Sequence, residues 1–319
     1  MKKKNTTIRY YLKWAGWVIL VQILLLNIST AIYAYKFTHF YTSPKPIYAS
    51  QNILDKTWKL FVGPDFYKNS LEPEPSFPYQ TVRINSSNEI VLDAWYSSVD
   101  SSKGCVIFFH GITVNKSFVE KEAAMFRQWG YNVLLVDFRG HGKSTGNKSS
   151  YGIHEADDVQ HAVEWAKQKG NEKIILYGVS LGAAACIKAI ADHKVQPLAL
   201  IADMPFATVH HYFKSRARGQ GFPAEPFATL VTFWIGTEGG YNAFNHDVRE
   251  YAKQLHCPVL VEWGEKDRYV QRDDIEAVYA NISSDRKKLL VYPRADHESF
   301  LNVDPNTWER EVQSFVGSL

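Results

Sequence analysis

The stretch Lys173-Ile-Ile-Leu-Tyr-Gly-Val-Ser-Leu-Gly-Ala-Ala-Ala-Cys186 restricts the fold more than any other part of the chain. Its β-branched and aliphatic start reads as a strand, Ala183 to Ala189 reads as a helix, and the few residues between them leave room for a tight turn alone. Gly178 and Gly182 stand two residues to either side of Ser180, where a Cβ would collide with the strand or the helix that the turn brings together. Such a turn holds Ser180 in a strained conformation with its hydroxyl above the sheet and the positive end of the helix behind it.

Strand before and small-residue helix after are what distinguish a nucleophile elbow from a chance Gly-x-Ser-x-Gly in a loop. The N–H of Leu181, first in the helix, is then a donor for an oxyanion.

Other apolar runs have the same texture. Cys105 to Phe109, Val133 to Val136, Ile174 to Tyr177, Leu198 to Ile201, Val259 to Val261 and Leu289 to Val291 are continuous, as strands covered on both faces are. Thr81 to Ile84 and Ile90 to Ser97 alternate in part and read as a hairpin around Asn85-Ser-Ser-Asn88. Ala156, Val159, Val163 and Ala166 recur at helical spacing before Gly170, and Asp304-Pro305 opens a last helix with Trp308, Val312 and Phe315 on one face. Alternation of strand and helix predicts a doubly wound, mostly parallel α/β sheet. About fifty residues between Asp203 and Val259 break the rhythm; rich in aromatics and glycine, the segment 206–255 is expected to form a small helical lid.

In such sheets reactive groups collect beyond the carboxyl ends of the strands. After Phe109 come His110-Gly111-Ile112-Thr113, where the N–H of Ile112 can face the same point as that of Leu181. Asp267 follows a glycine turn after Val259 to Trp263, and His297 follows the last strand. In the order Ser180, Asp267, His297 these are nucleophile, acid and base. Asp203, Glu265 and Asp296 are rival acids. His110 sits beside the oxyanion site and reads as structural; His210, His211 and His246 fall in the lid and read as surface or packing residues. Gly142-Lys143-Ser144 resembles the end of a phosphate-binding loop, but Asp137 stands where that motif needs glycine, and no metal motif occurs. No cofactor and no metal are expected.

Together, His110-Gly111, Asp137-Phe-Arg-Gly-His-Gly-Lys-Ser144, Gly178-Val-Ser-Leu-Gly182, Gly264-Glu-Lys-Asp267 and His297 resemble the α/β-hydrolase superfamily, and within it the serine aminopeptidase and monoacylglycerol-lipase-like branch, which includes membrane-anchored members. The resemblance covers Thr81 to Leu319. It implies the α/β-hydrolase fold, a structural role for the Arg139-Gly140-His141-Gly142 turn, and a lid that sets substrate choice.

The amino end is a separate matter. Trp14 to Tyr35 is an uncharged run of 22 residues, about 33 Å as a helix and enough to span a bilayer core. Lys2, Lys3, Lys4, Arg9 and Lys13 precede it, which puts residues 1–13 in the cytoplasm and everything after Tyr35 on the other side. A cleaved signal peptide ending near Ser29-Thr30-Ala31 is the rival, against which the run is long and has aromatics at both ends. Residues 36–80, with six prolines, read as a stalk holding one short helix near Ile53 to Leu60, and 81–319 as the hydrolase domain. Three cysteines, Cys105, Cys186 and Cys257, read as small buried hydrophobes. The Asn-x-Ser/Thr strings at Asn85, Asn115, Asn147 and Asn281 are glycosylation acceptors in a eukaryotic secretory route alone. A net charge of +3 gives no footing for nucleic acid.

The expected activity is hydrolysis of carboxylic esters, acyl or lipid-like, by a membrane-anchored serine hydrolase through an acyl-enzyme. Thioester or amino-terminal peptide cleavage is the alternative within hydrolases; a peptidase needs an acid near the pocket, for which Glu225 and Glu238 are available. A tethered module that binds without reacting is the alternative outside them.

Overall fold

Continuous apolar runs become strands where both faces can be covered, and in the computed structural model five of them do so: β3 (Cys105–Phe109), β4 (Asn132–Val136), β5 (Ile174–Val179), β6 (Ala199–Asp203) and β7 (Val259–Gly264) are buried at every residue. The structure describes residues 2–42, 52–69, 72–87 and 89–319, with side chains from Ile8 onward. Pro44 and Pro46 of the expected stalk, Asn88 of the expected hairpin turn and the side chains of Lys2, Lys3 and Lys4 lie outside the described residues.

The hairpin β1 (Gln80–Asn85) and β2 (Val91–Ser97) forms one edge, and the sheet runs β1-β2-β4-β3-β5-β6-β7-β8, where β8 is Lys287–Tyr292. β2 pairs antiparallel with β4, and every pair from β4 to β8 is parallel. β8 departs from the expectation of a strand covered on both faces. As the far edge it is half-exposed, with Lys288 exposed near its start.

Helices cover both faces. α1 (Lys2–Thr38) and α2 (Ile53–Val62) precede the sheet; α3 (Glu120–Gln128), α4 (Glu155–Gln168) and α5 (Leu181–Asp192) link β3 through to β6; α6 (Val209–Gly219), α7 (Phe227–Gly239) and α8 (Val248–Ala252) lie between β6 and β7; α9 (Arg272–Asn281), α10 (Phe300–Val303) and α11 (Pro305–Gly317) complete it. α4 ends as its sequence suggests, with Gly170 at φ 83° beyond Lys169, and the Asp304 side chain caps α11 by accepting from Thr307 N. Cys105 and Cys186 are buried free thiols; Cys257 is half-buried, also free.

The segment Ile8–Thr38 is long and apolar enough to cross a membrane. Its side chains are exposed from Ile8 to Leu25, whereas Ser29, Thr30, Tyr33, Ala34, Phe37 and Thr38 are buried in the protein. Tyr33 meets Phe227 of α7 edge-on at 5.2 Å, and Phe37 meets Phe213 of α6 at 5.2 Å. Tyr33 Oη donates to Leu60 O at 2.8 Å and Ser29 Oγ to Phe61 O at 2.5 Å, tying α2 alongside. The apolar helix therefore enters the body of the molecule directly, and the helices after β6 receive it.

Candidate active site

The turn from β5 into α5 has the geometry its glycines imply. Ser180 stands at φ 52°, ψ −105°, a conformation that strains any residue with a Cβ. A Cβ on Gly178 would come within 2.6 Å of Ala183 N, and one on Gly182 within 2.2 Å of Phe109 O. The turn is fixed from beneath, where Ser180 N donates to Asp203 O at 2.7 Å.

Parallel order places the ends of β3, β5, β7 and β8 on one side, and the loops there converge. A cavity of about 210 Å³ opens between them, lined by Ser180, Ile112 and His297 among others. His297 Nδ1 lies 2.7 Å from Asp267 Oδ2, whose other oxygen accepts from Tyr269 N at 2.7 Å and Val270 N at 2.9 Å. These backbone donors fix the carboxylate, which in turn fixes the imidazole. Ser180 and His297 share the cavity wall, but no hydrogen bond joins them among the described residues. Bonds of this kind are commonly long until a substrate is present. Among the described residues, neither the Ile112 nor the Leu181 N–H meets an acceptor outside its own element.

The rival acids are engaged elsewhere. Asp203 is buried under the elbow, accepting from Tyr177 Oη at 2.6 Å and facing Glu262, the residue beside it on β7. Burial, then Glu262, pushes its carboxyl well above the usual range. Glu265 pairs with Arg272, and Asp296 takes Arg268 Nε at 2.7 Å and the backbone N of His297 at 2.9 Å. His110 is fully buried, with Nδ1 2.6 Å from Gly111 O and Nε2 accepting from Phe138 N at 3.2 Å. Burial holds its ring neutral, far below the ordinary histidine value. Of the histidines after β6, His211 meets Asp274, His210 meets Glu225 at 2.8 Å, and His246 is buried.

The Arg139 turn is framework. Arg139 pairs with buried Asp158 at 2.7 Å, and a Cβ on Gly142 would fall 2.0 Å from Asp137 Oδ2. Glu72, Asp93 and Asp137 approach one another as metal ligands do, but the Lys116 ammonium already fills the place between them, at 2.8, 2.8 and 2.6 Å.

Sequence reasoning missed two parts of the cavity. Phe37, from the end of α1, forms one wall beside Phe66, and Arg216 of α6 forms another. The signal for Phe37 was faint: an aromatic just past an apolar run reads as an interfacial residue. Arg216 gave none, because what singles it out is a set of neighbours distant in sequence.

Residues 100–238 and 240–304 match the serine aminopeptidase S33 family. YqkD of Bacillus subtilis, an uncharacterized protein, is 28% identical over 218 residues, 67% of this chain and 71% of that one. The lysophosphatidylserine lipase ABHD12 of Macaca fascicularis is 26% identical over 192 residues, 55% of this chain and 45% of that longer protein. The solved esterase Pf2001 of Pyrococcus furiosus shares the fold at a TM-score of 0.65, with 24% identity over 80% of this chain and 99% of that one. With the match spanning most of the sheet and its elbow, this chain belongs to the serine aminopeptidase S33 family of α/β-hydrolases.

Proposed function

We propose that the protein is a membrane-anchored serine hydrolase of carboxylic esters with an acyl or lipid-like part, and that Ser180, His297 and Asp267 are nucleophile, base and acid. The observation that carries this is the Asp267–His297 hydrogen bond set beside a strained Ser180 in one cavity. His297 Nε2 takes the Ser180 proton as Oγ attacks the ester carbonyl, and Asp267 stabilises the imidazolium. The oxyanion is held by the N–H groups of Ile112 and Leu181. Collapse expels the alcohol, protonated by His297, and leaves an acyl-Ser180. Water, deprotonated by His297, then releases the acid.

The lining favours an ester with an apolar part over an amino-terminal peptide. A peptidase of that kind needs a carboxylate for the substrate's ammonium, and among the described residues no Asp or Glu lines this cavity. Glu225 is bound to His210 and Thr229, and Glu238 faces a different cavity. The name of the ABHD12 relative points the same way, toward a lipid ester.

Membrane anchoring rests on α1, with the amino end cytoplasmic and residues after Tyr35 beyond the bilayer. Burial of Ser29 and Thr30 against the rest of the chain favours a retained helix over one cut near Ala31. The exposed Ile53, Leu54 and Trp58 of α2 suit a membrane surface beside it. Helices α6 and α7, between which α1 ends, act as the lid.

The test is a fluorophosphonate probe and p-nitrophenyl esters from acetate to palmitate, applied to the detergent-solubilised protein and to Ser180→Ala. Labelling and turnover by the native chain, both lost in the variant, are expected. A native chain inert to both overturns the reading in favour of a tethered binding module.

A further inference from the structure

Arg216 projects from α6 into the wall of the cavity that holds Ser180 and His297. Its surroundings are aromatic. The guanidinium lies 4.7 Å from the Phe37 ring, 5.3 Å from Tyr269 and 5.9 Å from Tyr212, and Nη1 donates to Tyr212 Oη at 3.3 Å. Among the described residues no carboxylate pairs with it, whereas buried Arg139 is held by an ion pair with Asp158. A guanidinium carries five donors that suit a planar or tetrahedral anion, and π faces satisfy its charge without using them. Withdrawing such a group from water without a counter-charge is unfavourable, so its persistence here calls for an anion that arrives from outside.

Position says which anion. Tyr269 stands between the guanidinium and His297, whose ring meets it edge-on at 5.3 Å. One aromatic ring thus separates the cation from the imidazole. Tyr212, kept neutral by burial, can turn its hydroxyl proton toward the same point. Phe66, Ile112, Val114 and Phe118 also line the cavity and give it surface for an apolar chain. The cavity therefore offers apolar surface and one cation together with Ser180.

We propose that Arg216, assisted by Tyr212, is the anion-binding group of this cavity, and that the preferred ester carries a phosphate or carboxylate a few bonds from the scissile carbonyl. The proposal rests on the serine-hydrolase reading above and narrows its substrate class. Because Phe37 belongs to the helix that enters the membrane, the anion would be held where a lipid head group emerges.

Two substrate pairs test it and separate its sources. 1-Oleoylglycerol 3-phosphate against 1-oleoylglycerol, in the same detergent micelles, places the anion on the alcohol side; mono-p-nitrophenyl suberate against p-nitrophenyl octanoate places it on the acyl side. In the native protein the anionic member of at least one pair has the higher kcat/KM. Arg216→Gln lowers that anionic-to-neutral ratio by about 10- to 100-fold, the range for a charged hydrogen-bonded pair, mainly through KM. Arg216→Lys restores part of it. A ratio that stays put in Arg216→Gln, or a native protein indifferent to charge, overturns the proposal while leaving the hydrolase reading intact; loss of fluorophosphonate labelling and of all ester turnover in the native chain overturns both. Should Arg216→Gln fail to fold, the native protein still decides. Dodecyl phosphate is expected to inhibit neutral-ester turnover about tenfold more strongly than dodecanol, and equal inhibition overturns the anion subsite.

Discussion

Lys116 and Arg216 are both cations withdrawn from solvent, and the contrast between them separates framework from site. Lys116 is fully buried and meets three carboxylates, with its ammonium also 4.7 Å from the Trp95 ring. Burial alone would push its ammonium down; Asp137, Asp93 and Glu72 outweigh burial and hold it above the ordinary lysine value. Arg216 has rings on several sides and no carboxylate among the described residues. The first cluster ties the turn after β3 to β2, to the end of β4 and to the segment before β1, and leaves nothing for a ligand. At the second, the fold has left a charge without a carboxylate in the cavity that Ser180 and His297 line. A buried charge with its partners in place is evidence about folding, and one without them is evidence about what binds.

The largest effect expected from breaking this contrast is on stability. Lys116→Met leaves three carboxylates together without their cation and is expected to cost about 3–5 kcal/mol, read as a lower urea midpoint with an unchanged slope. Arg216→Met removes cation–π contacts but also an unpaired charge, and is expected to cost no more than about 1 kcal/mol. Equal costs would show that Arg216 is framework as Lys116 is, and the distinction would fall.

A third cluster sharpens the comparison, since it consists of acids with no cation. Asp203 and Glu262 face each other on adjacent strands, with Tyr177 Oη on the first at 2.6 Å and Tyr292 Oη on the second at 2.5 Å. Burial pushes Glu262 up to about 7 and Asp203 well up from its ordinary value. The folded state therefore holds a proton that the unfolded chain has released above its ordinary carboxylate range. Stability from this pair is greatest at low pH and falls as pH rises toward 7, by on the order of 2 kcal/mol. Glu262→Gln is expected to reduce that slope in urea denaturation between pH 5 and pH 7.5, with burial still raising Asp203. The difference between the two chains is the readout, because buried His246, pushed down to about 4, gives the opposite slope below its ordinary value. Parallel curves would mean that the pair is ionised and otherwise compensated.

How much of this was legible follows the same division. The sheet was readable because five strands are covered on both faces, which forces unbroken apolar runs, and Gly178, Gly182 and Ser180 could be read because steric rules act within five residues. Ser180, Asp267 and His297, proposed as nucleophile, acid and base, could be picked out at strand ends because parallel order brings those ends to one side. α3 and α9 passed unseen: each buries a narrow stripe, and their charged residues hide its period. The half-exposure of β8 followed from its place at the edge, which depends on strand order and not on its own residues. Lys116 among its acids and Arg216 among its rings were out of reach for the same reason, since their partners are 21 to 44 residues away for the first and reach back to α1 for the second.

The smallest effect expected is at the apolar part of the cavity lining. Phe118 lies in the short 3-10 turn Lys116–Val119, two residues from the Lys116 cluster, yet its own ring is 37% exposed and lines the cavity beside Ile112 and Val114. Framework and site thus meet within one turn, the ammonium facing inward and the ring outward. Truncation of a ring so exposed is expected to change stability by no more than about 0.5 kcal/mol. The ring still contributes apolar surface to a bound chain, at roughly 25 cal/mol per Å² covered. Phe118→Ala is therefore expected to lower the palmitate-to-acetate ratio of kcat/KM for p-nitrophenyl esters by about three- to tenfold, while the urea midpoint stays near that of the native chain. A shift in midpoint with no shift in ratio would assign Phe118 to the Lys116 framework and leave the acyl chain to the other apolar residues of the cavity.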